Sequence, residues 1–128
     1  MNLTTILYVA AGGAIGAVGR YGVVSLAGAV LGHGFPYGTL IVNVVGSFVL
    51  GVLIEVSALA WSPSPEVRAM IVIGVLGAFT TFSTFSLDVV TLMTRGETAH
   101  AMVYVAVSVV VSIAALWAGM TVMRAVLT

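Results

Sequence analysis

The stretch "GAFTTFSTFSLD" (residues 77–88) decides the fold expected for this chain. It carries three phenylalanines and five hydroxyl side chains between flanks as apolar as a membrane span, "RAMIVIGVLG" (68–77) and "VVTLMT" (89–94). Phe79, Phe82 and Phe85 are three residues apart, so on a continuous helix they form a slowly rotating stripe. The five hydroxyls fall within residues 80–86. Backbone groups freed within a membrane must be satisfied by hydroxyls, water or an ion, so this pattern predicts a helix interrupted inside the bilayer.

The composition of the whole chain indicates a membrane protein. Of 128 residues, 61% are hydrophobic and 6% are charged, whereas soluble domains are about 45–50% apolar and about 25% charged. The formal net charge is zero, which disfavours nucleic-acid binding. The absence of cysteine excludes disulfides and thiolate metal sites.

Four segments are long and apolar enough to cross a bilayer, which takes about 20 residues each. They cover residues 3–32, 38–60, 67–94 and 99–125, and all three prolines fall in the short breaks between them. Ser64, Pro65 and Glu66 have the pattern of an N-cap, a first-turn proline and an acid at the positive helix end. We therefore expect an all-α membrane protein with a single domain over residues 1–128 and the third of four helices broken mid-membrane.

The distribution of arginines predicts how this chain assembles. Arg68 and Arg124 fall on the side of the N-terminus and second loop, while Arg95 and, if it leans toward the first loop, Arg20 fall on the other. This balance leaves the positive-inside rule without a preferred orientation. Four short helices also make a thin bundle for a water-filled pathway. We expect an antiparallel, dual-topology homodimer. The spacing of Gly12 and Gly16 predicts a close approach between helices.

Two polar residues lie well inside the apolar segments. Arg20 would cost about 2.5–3.5 kcal/mol at a helix centre, so we expect it at a water-filled vestibule rather than snorkelling to headgroups. There it would attract anions. Asn43 is the only amide side chain within a span. From the sequence alone, an interhelical hydrogen bond is the favoured role for Asn43, and donation to a dehydrating anion is the alternative.

The fourth segment and the phenylalanine stripe together suggest an anion route. Tyr104, Ser108 and Ser112 recur every four residues and so share one helix face. These hydroxyls either form a polar track or bond to the carbonyls of their own helix. Phenyl edges carry the positive part of the ring quadrupole and can face an anion. No Ser/His/acid or metal constellation lies in the spans, so enzyme function is disfavoured.

The chain resembles the Fluc (CrcB) family of fluoride channels along nearly its whole length. The matching pieces are "GGAIGAVGRY" (12–21), "GTLIVNVVGSFVLG" (38–51), "GVLGAFTTFSTFS" (74–86) and the face formed by Tyr104, Ser108 and Ser112. The first piece by itself is weak evidence for the family. The combination of "TTFSTFS" in the third span with "GTLIVN" in the second is specific for it. One departure is Asp88, whose side chain is shorter than that of the glutamate that commonly follows the "FSTFS" run.

The resemblance implies a passive, multi-pass channel of the plasma (inner) membrane that exports fluoride and relieves its toxicity. It implies an antiparallel dimer with two pores and no nucleic-acid partner. The residues implied for the fluoride pathway are Asn43, Phe82, Phe85, Ser83, Thr39, Tyr104, Ser108 and Ser112, with Arg20 at the vestibule. The carbonyls of Gly77 and Thr80 from both subunits are implied to hold a structural Na⁺ at the dimer centre.

Two other functions compete with a channel. The first is a small dual-topology efflux transporter for drugs or cations, but such exporters use a membrane-embedded carboxylate, and the charge in the first span here is Arg20. The second is a structural subunit of a larger complex. That role would explain the glycines but not the coincidence of Asn43 with the phenylalanine and hydroxyl residues. Glu55, late in the second span, is expected at the membrane interface.

Overall fold

A computed structural model describes all residues, 1–128, as helices joined by short turns. The elements are α1 (Leu3–Leu31), α2 (Tyr37–Leu59), α3 (Pro65–Ala69), a π-helical turn (Met70–Leu76), α4 (Gly77–Phe79), α5 (Phe82–Thr94) and α6 (Thr98–Leu127). Four apolar helices are long enough to cross a membrane, the third of them running from Pro65 to Thr94. This confirms the all-helical membrane class, and the ends of the four spans lie within two residues of those expected.

Most of the apolar surface of the single chain is exposed. Only 17 of 128 residues are buried, and large hydrophobic side chains on every span face outward. In water such a surface would be unstable, because burial of apolar area is the main favourable term in folding. Lipid tails remove that cost, so the exposure supports a multi-pass membrane protein.

The third span begins as the sequence predicts. Ser64 is the N-cap of α3, Pro65 is in its first turn, and the Ser64 hydroxyl accepts a hydrogen bond from the Val67 N–H at 3.3 Å. Glu66 lies in the first turn, where its charge faces the positive helix end. The predicted cap is therefore confirmed.

α1 and the third span pack through glycines, as the small-residue spacing predicts. A methyl group at Gly16 would overlap the Val75 carbonyl, so only glycine permits this approach. The partner is the π-helical turn, in which the Gly77 N–H reaches the Val72 carbonyl five residues back. π-Helical turns are rare in proteins, and those that do occur are often found near functional sites. This one comes directly before the phenylalanine and hydroxyl stretch.

α2 and α6 form the second closely packed pair. They run parallel, since the third span reverses the chain between them. Gly51 lies so close to α6 that a methyl group there would overlap the Leu116 carbonyl. This contact holds the walls of the candidate site together, because α2 carries Asn43 and α6 carries Ser108 and Ser112.

An ion pair joins the C-terminal parts of α2 and α6. Arg124 Nη2 donates to Glu55 Oε1 at 2.8 Å, and the Glu55 side chain is 4% exposed whereas that of Arg124 is 67% exposed. Glu55 is thus buried and paired with Arg124, and its expected place at the membrane interface stays a prediction.

Replacing Arg124 by glutamine is expected to lower the free energy of unfolding by about 1–3 kcal/mol, because it leaves a buried carboxylate without its donor. Glu55→Gln is expected to cost less, because the exposed Arg124 guanidinium then stays solvated. Thermal unfolding of the purified variants in detergent measures both. A larger loss in Glu55→Gln than in Arg124→Gln would contradict the asymmetry assigned to this pair.

Candidate functional site

The phenylalanine and hydroxyl stretch contains two non-helical residues. α4 ends at Phe79 and α5 begins at Phe82; between them, Thr80 has φ −87° and ψ 157° and Thr81 has φ −154° and ψ 119°. Thr81 is the N-cap of α5, since its hydroxyl accepts from the Thr84 N–H at 3.1 Å. The Thr80 hydroxyl donates to the Leu76 carbonyl at 2.8 Å. Two of the threonines therefore satisfy backbone groups at the ends of α4 and α5.

Asn43 on α2 holds this extended segment from the other side. Its Nδ2 donates to the Thr81 carbonyl at 3.1 Å, and its Oδ1 accepts from the Thr81 N–H at 2.8 Å. In a continuous α-helix, that N–H would donate to the Gly77 carbonyl. The interhelical bond favoured from the sequence is present, and it is a double one. An asparagine amide has two N–H donors, so one remains for a further partner.

A cavity of about 440 Å³ lies beside this segment. It brings together the polar and aromatic residues of three spans. The lining includes Asn43, Ser47, Thr80, Thr81, Phe82, Phe85, Ser108 and Ser112, with Gly46, Leu50, Gly77 and other apolar residues between them. Five of the eight residues predicted for the fluoride pathway thus share one cavity: Asn43, Phe82, Phe85, Ser108 and Ser112.

The two phenylalanines of the cavity have different surroundings. Phe82 is 78% exposed, whereas Phe85 is buried. Their ring centroids are 5.5 Å apart with an interplanar angle of 44°, and Phe85 lies 5.1 Å from the Tyr104 ring at 46°. Tilted pairs of this kind present ring edges as well as faces to their neighbours. Phe79, the third member of the stripe, instead packs near Gly19 of α1.

The hydroxyls of Ser108 and Ser112 are buried and have no hydrogen-bond partner in the chain. Other hydroxyls of the spans do bond to their own helix: Ser86 donates to the Phe82 carbonyl at 3.0 Å and Thr121 to the Trp117 carbonyl at 2.9 Å. The alternative to a polar track was that these serines bond to carbonyls of their own helix, and neither Ser108 nor Ser112 makes such a bond. Because an unpaired buried hydroxyl is costly, a water or ion in the cavity is their natural partner.

Tyr104, Thr39, Ser83 and Arg20 lie outside this cavity. Tyr104 is fully buried behind Phe85, and Thr39 lines a second cavity of about 300 Å³ near the loop between α1 and α2. The Ser83 hydroxyl is exposed, 3.4 Å from that of Thr81. Arg20 Nη1 donates to the Thr84 hydroxyl at 3.5 Å, and Thr84 lines the second cavity. Their roles in conduction stay predictions.

The sequence analysis did not predict the partner of Tyr104. Its hydroxyl donates to Asp88 Oδ2 at 2.9 Å, which fastens α6 to α5. Asp88 also lines the second cavity, together with Arg95 and His33, so this cavity carries charges of both signs. No periodicity links residues 88 and 104, which lie on different helices, so the sequence holds little signal for the pair.

Ser47 was also missed, although a signal for it exists. It follows Asn43 by one helical turn on the same face of α2, and both residues line the larger cavity. The signal is the helical spacing itself, since the face of α2 that carries Asn43 continues to Ser47.

The chain is similar to known proteins over most of its length. Residues 7–120 match the CrcB-like protein family, Camphor Resistance (CrcB). A "Fluoride-specific ion channel FluC" of Rhodospirillum centenum is 50% identical over 123 residues, which cover 93% of this chain and 94% of that protein. Proteins with the same name from Rhizobium etli and Nitrobacter winogradskyi are 50% and 48% identical, over 93% and 98% of this chain and 95% and 100% of theirs.

Proposed function

The chain belongs to the CrcB family, and on that premise we propose that it is a passive, fluoride-selective ion channel. One observation supports this most directly: Ser108 and Ser112, whose buried hydroxyls have no hydrogen-bond partner in the chain, line the same cavity as Asn43, Phe82 and Phe85. Relatives about half identical over most of the chain carry the name of a fluoride-specific ion channel. The family match and the cavity chemistry thus support the same function.

Fluoride fits the chemistry of this cavity. It is a small anion with a tightly held water shell, so several preorganised donors must replace that water for it to pass. Asn43 has an amide N–H left over after bonding to Thr81, and the two serines add hydroxyl donors. The edges of Phe82 and Phe85 add weak positive potential without binding water strongly. In this proposal the ion moves down its own gradient, and export follows when fluoride is higher inside the cell.

The remaining pathway residues are proposed to act before the ion reaches the larger cavity. Arg20 would raise the local anion concentration at the vestibule. Thr39 and Ser83 would offer hydroxyls along the approach, and Tyr104 would extend the serine track. What supports this is their position: Thr39 lines the second cavity, and Arg20 bonds to Thr84 on its wall.

We further propose that the working channel is an antiparallel, dual-topology homodimer with two pores and with the third span broken at mid-membrane depth. Phe82, a cavity residue that is 78% exposed in the single chain, supports a second chain as its cover. The balanced arginines support insertion in both orientations. Reporter tags at the two termini test the topology: accessibility from only one side of the membrane would contradict it.

A structural Na⁺ at the dimer centre is proposed on the same basis. In a continuous α-helix the N–H groups of Thr81 and Thr84 would bond to the carbonyls of Gly77 and Thr80, but here they bond to Asn43 Oδ1 and Thr81 Oγ1. Carbonyls released in this way suit a small cation. Two carbonyls from one chain fill only part of a coordination shell, which is why both subunits would contribute. Na⁺ would supply structural support and no part of conduction.

Anion efflux from liposomes tests the channel function. Vesicles containing the purified protein are loaded with fluoride and chloride in parallel, and a potential shunt carries the compensating charge. Rapid fluoride release with chloride retained is the expected result. Release of neither anion from a verified dimer would contradict the proposal and favour a structural subunit. Proton-coupled cation uptake in the same vesicles would favour the transporter.

A further inference from the structure

The α2 wall of the larger cavity carries one hydroxyl that no role yet explains. Ser47 lines the cavity one turn after Asn43, between Gly46 and Leu50. None of the side-chain hydrogen bonds in the structure uses its hydroxyl, although Thr80, Ser86 and Thr121 each donate to a carbonyl of their own helix. Ser47 is therefore a free hydroxyl at a cavity wall.

The opposite wall carries the two unpaired hydroxyls of α6. Ser108 and Ser112 are one turn apart, as Asn43 and Ser47 are on α2, so each helix presents two polar groups at the same spacing. The two helices pack closely where Gly51 meets the Leu116 carbonyl, which fixes the separation of the walls. The polar groups of both helices thus line one space, and Ser47 lies one turn beyond the asparagine that bonds to Thr81.

The chemistry of this space favours an anion as the shared ligand. A hydroxyl can donate its O–H to an anion or coordinate a cation through its oxygen, so the serines by themselves do not decide the sign of the ligand's charge. The Asn43 amide N–H and the phenyl edges carry partial positive charge and favour an anion, and no carboxylate lines the cavity to balance a cation. Gly77 and Thr80, whose carbonyls are proposed for Na⁺, also line the cavity, but they belong to the third span and not to the α2 and α6 walls that carry the serines.

We propose that Ser47 donates a hydrogen bond to fluoride and, with Ser108 and Ser112, forms a second fluoride position beyond Asn43. This inference rests on the proposed channel function and adds to it a binding residue on α2. An anion leaving the Asn43 amide would then find hydroxyl donors on both walls instead of on α6 alone. With two successive binding positions, fluoride binds each one favourably enough to enter it and weakly enough to leave it.

The test compares Ser47→Ala with Ser47→Thr, which keeps the hydroxyl. Efflux from liposomes is measured over a range of fluoride concentrations, to obtain the half-saturating concentration and the maximal rate separately. Ser47→Ala is expected to raise the half-saturating concentration by about tenfold, the scale of one lost hydrogen bond to a charged group. Ser47→Thr is expected to stay near the wild-type value. A merely misfolded fraction would lower the maximal rate and leave the half-saturating concentration unchanged.

Ser57→Ala is the matched control, because it makes the same change on the same helix outside the larger cavity. It is expected to leave both parameters unchanged. The inference is overturned if Ser47→Ala keeps the wild-type half-saturating concentration, or if Ser57→Ala shifts it equally. A wild-type protein that releases no fluoride would instead overturn the proposed function, so the two failures are distinguishable.

Discussion

Replacing Phe85 by isoleucine is expected to reduce fluoride efflux to the level of protein-free liposomes while the protein remains folded. Phe85 is buried in the cavity wall and contacts both Phe82 and Tyr104, so its ring edge is held in place. Isoleucine keeps most of the volume but has no quadrupole with a positive edge. Because a core change that nearly conserves volume usually costs less than about 1.5 kcal/mol, folding should survive. Phe82→Ile is expected to have the same effect on efflux.

Phe79→Ile is the matched control for this experiment. Phe79 belongs to the same stripe, but it packs near Gly19 of α1 and does not line the cavity. Efflux from liposomes and size-exclusion chromatography of each variant are the two measurements. Wild-type efflux in Phe85→Ile would remove the ring edge from the mechanism. Loss of efflux in Phe79→Ile as well would show that the stripe acts through packing alone.

The second large effect is expected at Asn43. Asn43→Ala removes both hydrogen bonds to Thr81, each worth about 1 kcal/mol, and leaves the freed N–H and carbonyl of Thr81 without partners. We expect a loss of stability of about 2–3 kcal/mol, slower fluoride efflux and weaker exclusion of chloride. Thermal unfolding in detergent and parallel fluoride and chloride efflux measure these three quantities.

Asn43→Asp tests whether this residue contacts the ion. An aspartate still accepts the Thr81 N–H, but its second oxygen faces the Thr81 carbonyl without a hydrogen to donate, so it is expected to cost at least as much stability as alanine. Its negative charge would also repel an anion beside Phe82 and Phe85, so fluoride efflux is expected to fall further than in Asn43→Ala. If Asn43→Asp conducts as well as the wild type, Asn43 only holds Thr81 and does not contact the ion.

The candidate site was predictable from the sequence where one helix face carries the pattern. Ser108 and Ser112 are four residues apart, and their shared face does line the cavity. Tyr104 belongs to the same series but is fully buried and bonded to Asp88 on α5. Helical spacing places a side chain on a face, and it does not determine which neighbour that face meets at each depth. The larger side chain of Tyr104 reaches past the cavity wall and finds a different partner.

Asn43 shows a second limit of sequence analysis. Its polarity inside a span indicates that it needs a partner, because an unpaired amide in a bilayer is costly. The sequence cannot identify that partner as the backbone of Thr81, 38 residues away. The same holds for Glu55, because the sequence cannot identify its partner as Arg124, 69 residues away.

The sequence by itself determined the membrane class, the four spans and the cap at Ser64, because each depends on composition or on neighbours within one turn of helix. The tertiary structure alone decided which polar atoms are satisfied and which stay free. Ser86 and Thr121 bond to their own helices, whereas Ser47, Ser108 and Ser112 do not and meet in one cavity. That outcome depends on how closely α2 and α6 approach at Gly51, which is a property of packing between distant segments.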